Sequence, residues 1–290
     1  MFRYGLIVAL LLCSNLIADD DGFDDEFDDG FEVTQEIIEV DNLSPKAYSI
    51  YGNISFDTSY NYAHKKPINN TLNDFRYFSS AKTSADIYAE YKFENSYKLK
   101  ANIKAYKDFI YTLKEDEYKT IPKDYEDYSD INELYLQGSI NSNLDFRIGR
   151  QIVVWGKSDN IRITDTLNPL NNLTPAMTDI EDLRLGRTMA KFDYYTNGWD
   201  ISTIFLLENR YSMMPKYGSD FAPQNKILAN SLSVDEPSNS LKNSGFALSL
   251  SKNYEGQDIA FYLSNQFVDN TTYKTNMLGF AYNKVIDSFY

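Results

Sequence analysis

Residues 81–104 read AKTSADIYAEYKFENSYKLKANIK, with one parity apolar and the other polar or charged. Ala81, Thr83, Ala85, Ile87, Ala89, Tyr91 and Phe93 oppose Lys82, Ser84, Asp86, Glu90, Lys92 and Glu94. Beyond Asn95-Ser96, Leu99, Ala101 and Ile103 oppose Lys98, Lys100, Asn102 and Lys104. A period of two places the two sets on opposite faces of a β-strand, and the short polar break reads as a hairpin turn.

The same split runs outward in both directions. Upstream, Ile50, Ile54, Phe56, Tyr60 and Tyr62 oppose Asn53, Ser55, Asp57, Ser59 and Asn61. The pattern predicts strands near 48–63, 76–94, 97–111, 131–140, 144–153, 186–196, 199–208, 244–253, 257–267 and 273–284. Breaks at 95–96, 141–143, 197–198, 254–256 and 285–287 are two or three residues long, whereas those at 64–75, 112–130, 154–185, 209–243 and 268–272 are mostly much longer. Short turns at one end and long loops at the other are the mark of an all-β, transmembrane, antiparallel up-and-down β-barrel. A soluble sandwich has no reason to sort its connections by length. The barrel is expected over residues 47–290, with about ten strands in this chain.

Composition agrees with that expectation. The 24 Tyr and 18 Phe exceed the usual aromatic share and suit girdles at two membrane interfaces. No long apolar stretch follows the N-terminus, which excludes a helical membrane protein. Residues 1–18 read as a secretory signal peptide: Arg3 is the positive region, Gly5 to Cys13 the apolar core and Leu16-Ile17-Ala18 the cleavage site. Taken with the barrel pattern, that address implies an outer membrane, with outer-membrane lipid as the surrounding partner. Cys13, the one cysteine, lies in the leader, so no disulfide or thiol chemistry is expected of the mature chain. Acylation of Cys13 as in a lipoprotein is disfavoured by the bulk of Leu12.

Charge is uneven. Residues 19–41 hold 12 of the 42 acids and no base, so the rest of the chain is nearly neutral. Such acidity argues against nucleic acid as a partner. Residues 19–46 are expected to form an acidic periplasmic segment, disordered because its charge density prevents collapse. Phe23, Phe27 and Phe31, spaced by four, also suit a docking motif that folds on a periplasmic or inner-membrane exporter component.

The most specific text lies in the middle. It contains Gly149-Arg150-Gln151, then Trp155-Gly156-Lys157-Ser158-Asp159, then Asp165 with Asn168-Pro169, and further on Glu208-Asn209-Arg210 and Gly218-Ser219-Asp220-Phe221. Over residues 130–225 this run resembles the domain of unknown function 1302 family of Gram-negative outer-membrane proteins, often encoded near RND-type exporters. The resemblance implies a porin-like barrel that carries a small or hydrophobic substrate; it supplies no catalytic residue.

The long connection at 154–185 is expected to fold into the lumen as a constriction or plug. Arg147, Arg150, Gln151, Trp155, Lys157, Asp159, Asp165, Arg184, Arg187, Glu208 and Arg210 are the candidate lumen and constriction residues, with Arg162, Asp179, Glu181 and Asp182 as further charges lining or bracing the path. Trp155 fits an interface girdle equally well, and Asn168-Pro169 a plain turn. Arg150 shares parity with Phe146, Ile148 and Ile152, which would aim it at lipid. Either it snorkels at the rim or, the preferred reading, a bulge beside Gly149 turns it inward. Asn197-Gly198 favours a two-residue type I′ hairpin, so facing residues should have numbers summing to 395. Arg187 then opposes Glu208, as a cross-strand ion pair on the inner face.

Catalysis is not expected. His64 is the one histidine, in a polar loop without a nucleophile arrangement around it, and nothing in the sequence asks for a cofactor or metal. A structural or adhesin-type barrel is the alternative to a channel, and nothing in the sequence sets an oligomeric state. Asp287 to Tyr290 resembles the start of an eleventh strand, so the chain is read either as a partial barrel or as ten closed strands with a short tail.

Overall fold

The computed structural model describes residues 46–67, 72–94, 96–118, 120–156, 162–178, 182–223, 225–231, 234–254 and 256–284. The chain divides into Met1–Lys46 and Ala47–Tyr290, and the fold described here is that of the second unit. The expected leader, most of the acidic segment and the expected eleventh strand lie outside the described residues.

Ten strands follow one another: β1 (Tyr48–Asn61), β2 (Tyr77–Lys92), β3 (Lys98–Asp108), β4 (Asp127–Asn141), β5 (Leu144–Gln151), β6 (Arg187–Thr196), β7 (Trp199–Leu206), β8 (Gly245–Tyr254), β9 (Gln257–Phe267) and β10 (Lys274–Lys284). Each pairs antiparallel with its neighbours in sequence, forming one up-and-down sheet ordered β1 to β10. Among the described residues β1 and β10 pair with no further strand, so the sheet is open. No described helix is long and apolar enough to cross a membrane.

The alternation in the sequence sets the register. At Asn197 and Gly198 φ is 49° and 75°, the left-handed pair that a type I′ turn needs. Met189 accordingly faces Leu206 and Lys191 faces Ile204, each pair summing to 395 as expected. β4 starts at Asp127, earlier than expected, because the ladder rewards it: Lys107 faces Asp127, Lys104 faces Asp130, and Tyr106 stacks on Tyr128 at 5.7 Å. One residue of β4, Asn132, is extra where the partner of Asn102 is Glu133 and that of Ile103 is Ile131. This is a β-bulge.

The long connections all leave one end of the sheet. Among the described residues they carry three short α-helices, α1 (Ile110–Leu113), α2 (Lys123–Glu126) and α3 (Lys226–Asn230), and a 3-10 turn at Leu241–Asn243, and they knit together. His64 and Asn61 bond Asp220 at 3.0 and 3.2 Å, the Tyr125 hydroxyl donates to Leu173 O at 2.9 Å, and Ser212 N donates to Asp269 at 2.7 Å.

The two faces differ sharply. Residues of the 152–186 connection pack on one of them, called here the covered face. The other, bare face presents Ile50, Ile54, Phe56, Ile87, Leu99, Ile148, Phe205, Phe261 and Phe280 to the surroundings, with Leu278 83% exposed.

Candidate functional site

The connection between β5 and β6 is held by apolar burial. Val153, Trp155 and Leu167 pack against Met189 (β6), Ile204 and Leu206 (β7), Ala247 (β8), and Ala260 and Tyr262 (β9), with Met277 and Ala281 of β10 at the margin. Each large side chain buried here stabilises the arrangement by about 1.5–3 kcal/mol relative to exposure. Trp155 meets Tyr262 edge-on at 5.2 Å and is only 3% exposed. It is neither a girdle residue nor open to a ligand. At its far end the same connection reaches β3, where Lys104 holds Asp182 at 3.1 Å. One segment therefore touches strands from β3 to β10, so the sheet curves around it.

Polar side chains lock this segment, and they are the motif residues. Asn168, 2% exposed, accepts from Val153 N at 2.8 Å and donates to Gln151 O at 3.1 Å and Leu185 O at 2.9 Å. It is no plain turn residue; it ties both ends of the loop together. Asp165 takes Arg184 through two bonds of 3.0 and 2.9 Å and Arg162 at 3.1 Å, all three residues being largely buried. Gln151, fully buried, donates to Met189 O at 3.1 Å. Gly149 has φ of 133°, and a Cβ there would run into Leu134 O of β4, which accounts for glycine at that place in the motif.

A second cluster sits at the long-loop rim, and it corrects two expectations. β5 runs against β4 and β6 without a register break beside Gly149, so Arg150 stays on the bare-face parity with Ile148. The bulge is on β4 instead, and Arg150 folds over the rim to Asp130 at 3.2 Å and Glu208 at 2.5 Å. Arg210 completes the cluster with Asp130 at 2.7 Å and Gly186 O at 2.8 Å. The expected Arg187–Glu208 ion pair does not form. Leu207 N and Glu208 N both donate to Thr188 O, at 3.0 and 3.3 Å, and this doubling turns the Glu208 side chain to the bare-face parity. There its carboxylate accepts from Thr188 N at 2.8 Å and Thr188 Oγ1 at 2.7 Å as well as from Arg150. Burial alone would raise the Glu208 carboxyl, but the bonds from Thr188 and Arg150 outweigh it and hold it below the ordinary carboxylate range.

Arg187 is left among neutral acceptors. It is 2% exposed and donates to Glu208 O at 2.5 Å, Gln266 Oε1 at 2.8 Å and Leu167 O at 3.3 Å. It borders a cavity of about 280 Å³ that also meets Asp165, Arg210, Arg162, Ser212 and Asp269. Of the expected residues, then, Asp165, Arg187 and Arg210 come together at this cavity. Arg184 stands behind Asp165, and Arg150 and Glu208 form the rim. Arg147 lies apart, lower on the covered face, its guanidinium 4.8 Å above the Tyr135 ring. Lys157, Asp159, Asp179 and Glu181 lie outside the described residues. Sequence reasoning missed Ser212 and Asp269, which sit on different loops and carry no local signal.

Residues 34–271 match the family described as Protein of unknown function (DUF1302). The chain belongs to DUF1302. The match spans β1 to β9 and includes both motif runs, so the DUF1302 region holds the loop lock and the rim cluster together. A comparison with curated proteins finds no match.

Proposed function

We propose that this chain is an outer-membrane β-barrel protein with a hydrated interior: a porin-like channel, or the outer-membrane component of an export pathway for a small or hydrophobic substrate, and not an enzyme. The observation that carries the reading is the division of the sheet. Apolar side chains stand exposed along the bare face from β1 to β10, as a lipid-facing band requires. The opposite face carries Lys82, Asp86, Glu90, Lys100, Lys104, Glu133, Arg147, Lys191 and Asp193, as a wetted wall would. In this reading the leader delivers the chain across the inner membrane, residues 19–41 offer a periplasmic docking segment for an exporter component, and the 152–186 connection narrows the channel.

One observation favours a second reading, a structural barrel without a conducting pore: the connection fills the space over β6 to β10 with a dry apolar core. Planar-bilayer recording of refolded, heat-modifiable protein separates the two. Discrete conductance steps are expected. Folded protein that inserts and never conducts would leave the structural barrel as the better account.

A further inference from the structure

The registers of five strands place a row of cations at one level of the covered face. Lys92 of β2 faces Lys98 of β3, Lys98 faces Gln137 of β4, Gln137 faces Arg147 of β5, and Arg147 faces Lys191 of β6. Like charges directly opposite one another on one face of a sheet repel, and a sequence selected for stability alone would alternate them. Here two such pairs occur in a single row. On the same face Glu90, Asp145 and Asp193 stand beside the row, three acids against Lys92, Lys98, Lys100, Arg147 and Lys191. Glu90 stands 3.7 Å from Lys92, 3.9 Å from Lys98 and 3.2 Å from Lys100, so one acid is shared by three ammonium groups. Lys191 is paired with Asp193. Asp145, one step nearer the short turns, faces Asp193 and keeps its charge while accepting from Ser139 at 2.6 Å and Tyr195 at 3.3 Å. Arg147 rests over the Tyr135 ring and has no ion-pair partner among the described residues. In the row the side chains of Lys92 and Lys98 are 58% and 41% exposed, and Lys100 one step away is 38% exposed, so the β2–β3 end is open to solvent, whereas Lys191 at the β6 end is 18% exposed.

We propose that this row is a binding ledge for a multivalent oxyanion, a molecule carrying at least two phosphate or carboxylate charges. Adjacent strands lie about 5 Å apart, so Lys92 and Lys98 are one strand spacing apart, as are Arg147 and Lys191, and the two pairs flank Gln137, a spacing that long side chains can close on two anionic groups of one molecule, with Arg147 able to grip one of them through two parallel N–H bonds. A ring of Lys and Arg is also how anion-conducting pores select their ions. The purpose of the ledge, selection of anionic cargo, rests on the channel reading above. Its chemistry does not.

The test uses the whole refolded chain in detergent micelles with inorganic pyrophosphate as probe. Acetylation of lysines, read by mass spectrometry, should be slowed by pyrophosphate at Lys92, Lys98 and Lys100 and unchanged at Lys252, which sits over the Trp199 ring on the other parity. Calorimetric affinity should fall about tenfold or more in the Lys98→Gln/Arg147→Gln double variant, as expected for losing two charge-assisted contacts, and should survive in Lys98→Arg. Equal acetylation with and without pyrophosphate overturns the ledge even if the protein conducts. Protection in a protein that never conducts upholds the ledge and removes the channel.

Discussion

Glu208 closes the rim of the sheet, accepting from Thr188 N, Thr188 Oγ1 and Arg150 while its own carbonyl receives Arg187. The sign of its pH dependence follows from the lowered carboxyl. A group held below its ordinary value of 4.5 adds stability above that value and loses it as pH falls through the folded value. Hydrogen-exchange protection of residues 207–213, taken relative to the intrinsic rate at each pH, should therefore stay level from neutral pH to about 4.5 and fall below it. Glu208→Gln should cost about 1–3 kcal/mol at neutral pH and flatten the acid limb. An unchanged acid limb in the variant would show that other carboxylates govern the rim. At this scale the sequence was half legible. The sum rule set by Asn197-Gly198 put Met189 opposite Leu206 correctly, yet a period of two carries no sign of where a ladder ends. The doubled donation to Thr188 O reverses the parity of Glu208 two residues beyond β7.

The connection at 152–186 behaves as an element in its own right, fixed by an apolar underside and a polar lock. Asn168 is the centre of the lock, satisfying two backbone carbonyls and one N–H from the two ends of the connection. Asn168→Ala would leave those groups unpaired where water does not reach, at about 1–3 kcal/mol each, not additively. The strands themselves lose no ladder bond. The expected outcome is a segment that opens while the sheet persists: faster proteolysis between β5 and β6, red-shifted Trp155 emission and, if the protein conducts, larger conductance steps. If the emission of Trp155 stays as in the parent chain, Asn168 is dispensable and apolar burial alone holds the segment. The unusual length of this loop and its dense motif were visible in the sequence. That the motif residues would bind one another was not, because Asn, Asp and Arg are equally the residue types of a turn, a pore ring and a buried lock. Only the strand ends at Gln151 and Leu185, brought together by the sheet, decide among these roles.

Across the whole molecule the most legible feature is the one that places it. Ten strands and their pairing follow from alternation and loop length, because a half-turn in side-chain direction per residue leaves a direct trace in the chain. The same trace assigns opposite tolerances to adjacent residues. Ile54 and Ser55 are neighbours in the middle of β1, facing Ala85 and Ser84 of β2. Ile54 stands on the bare face, 58% exposed, and Ser55 shares parity with Asn53 and Asp57 on the other. If the bare face meets lipid, Ile54→Arg near the bilayer midplane should cost about 2–4 kcal/mol and reduce insertion into vesicles, whereas Ser55→Arg places the same charge in water and should insert like the parent chain. Phe280→Arg on β10 should repeat the Ile54 result at the opposite edge of the sheet. Heat-modifiable migration after mixing with vesicles reads both effects. In a soluble sheet both arginines would be solvated at similar cost, so equal behaviour of the two β1 variants would remove lipid from the bare face and the membrane reading with it.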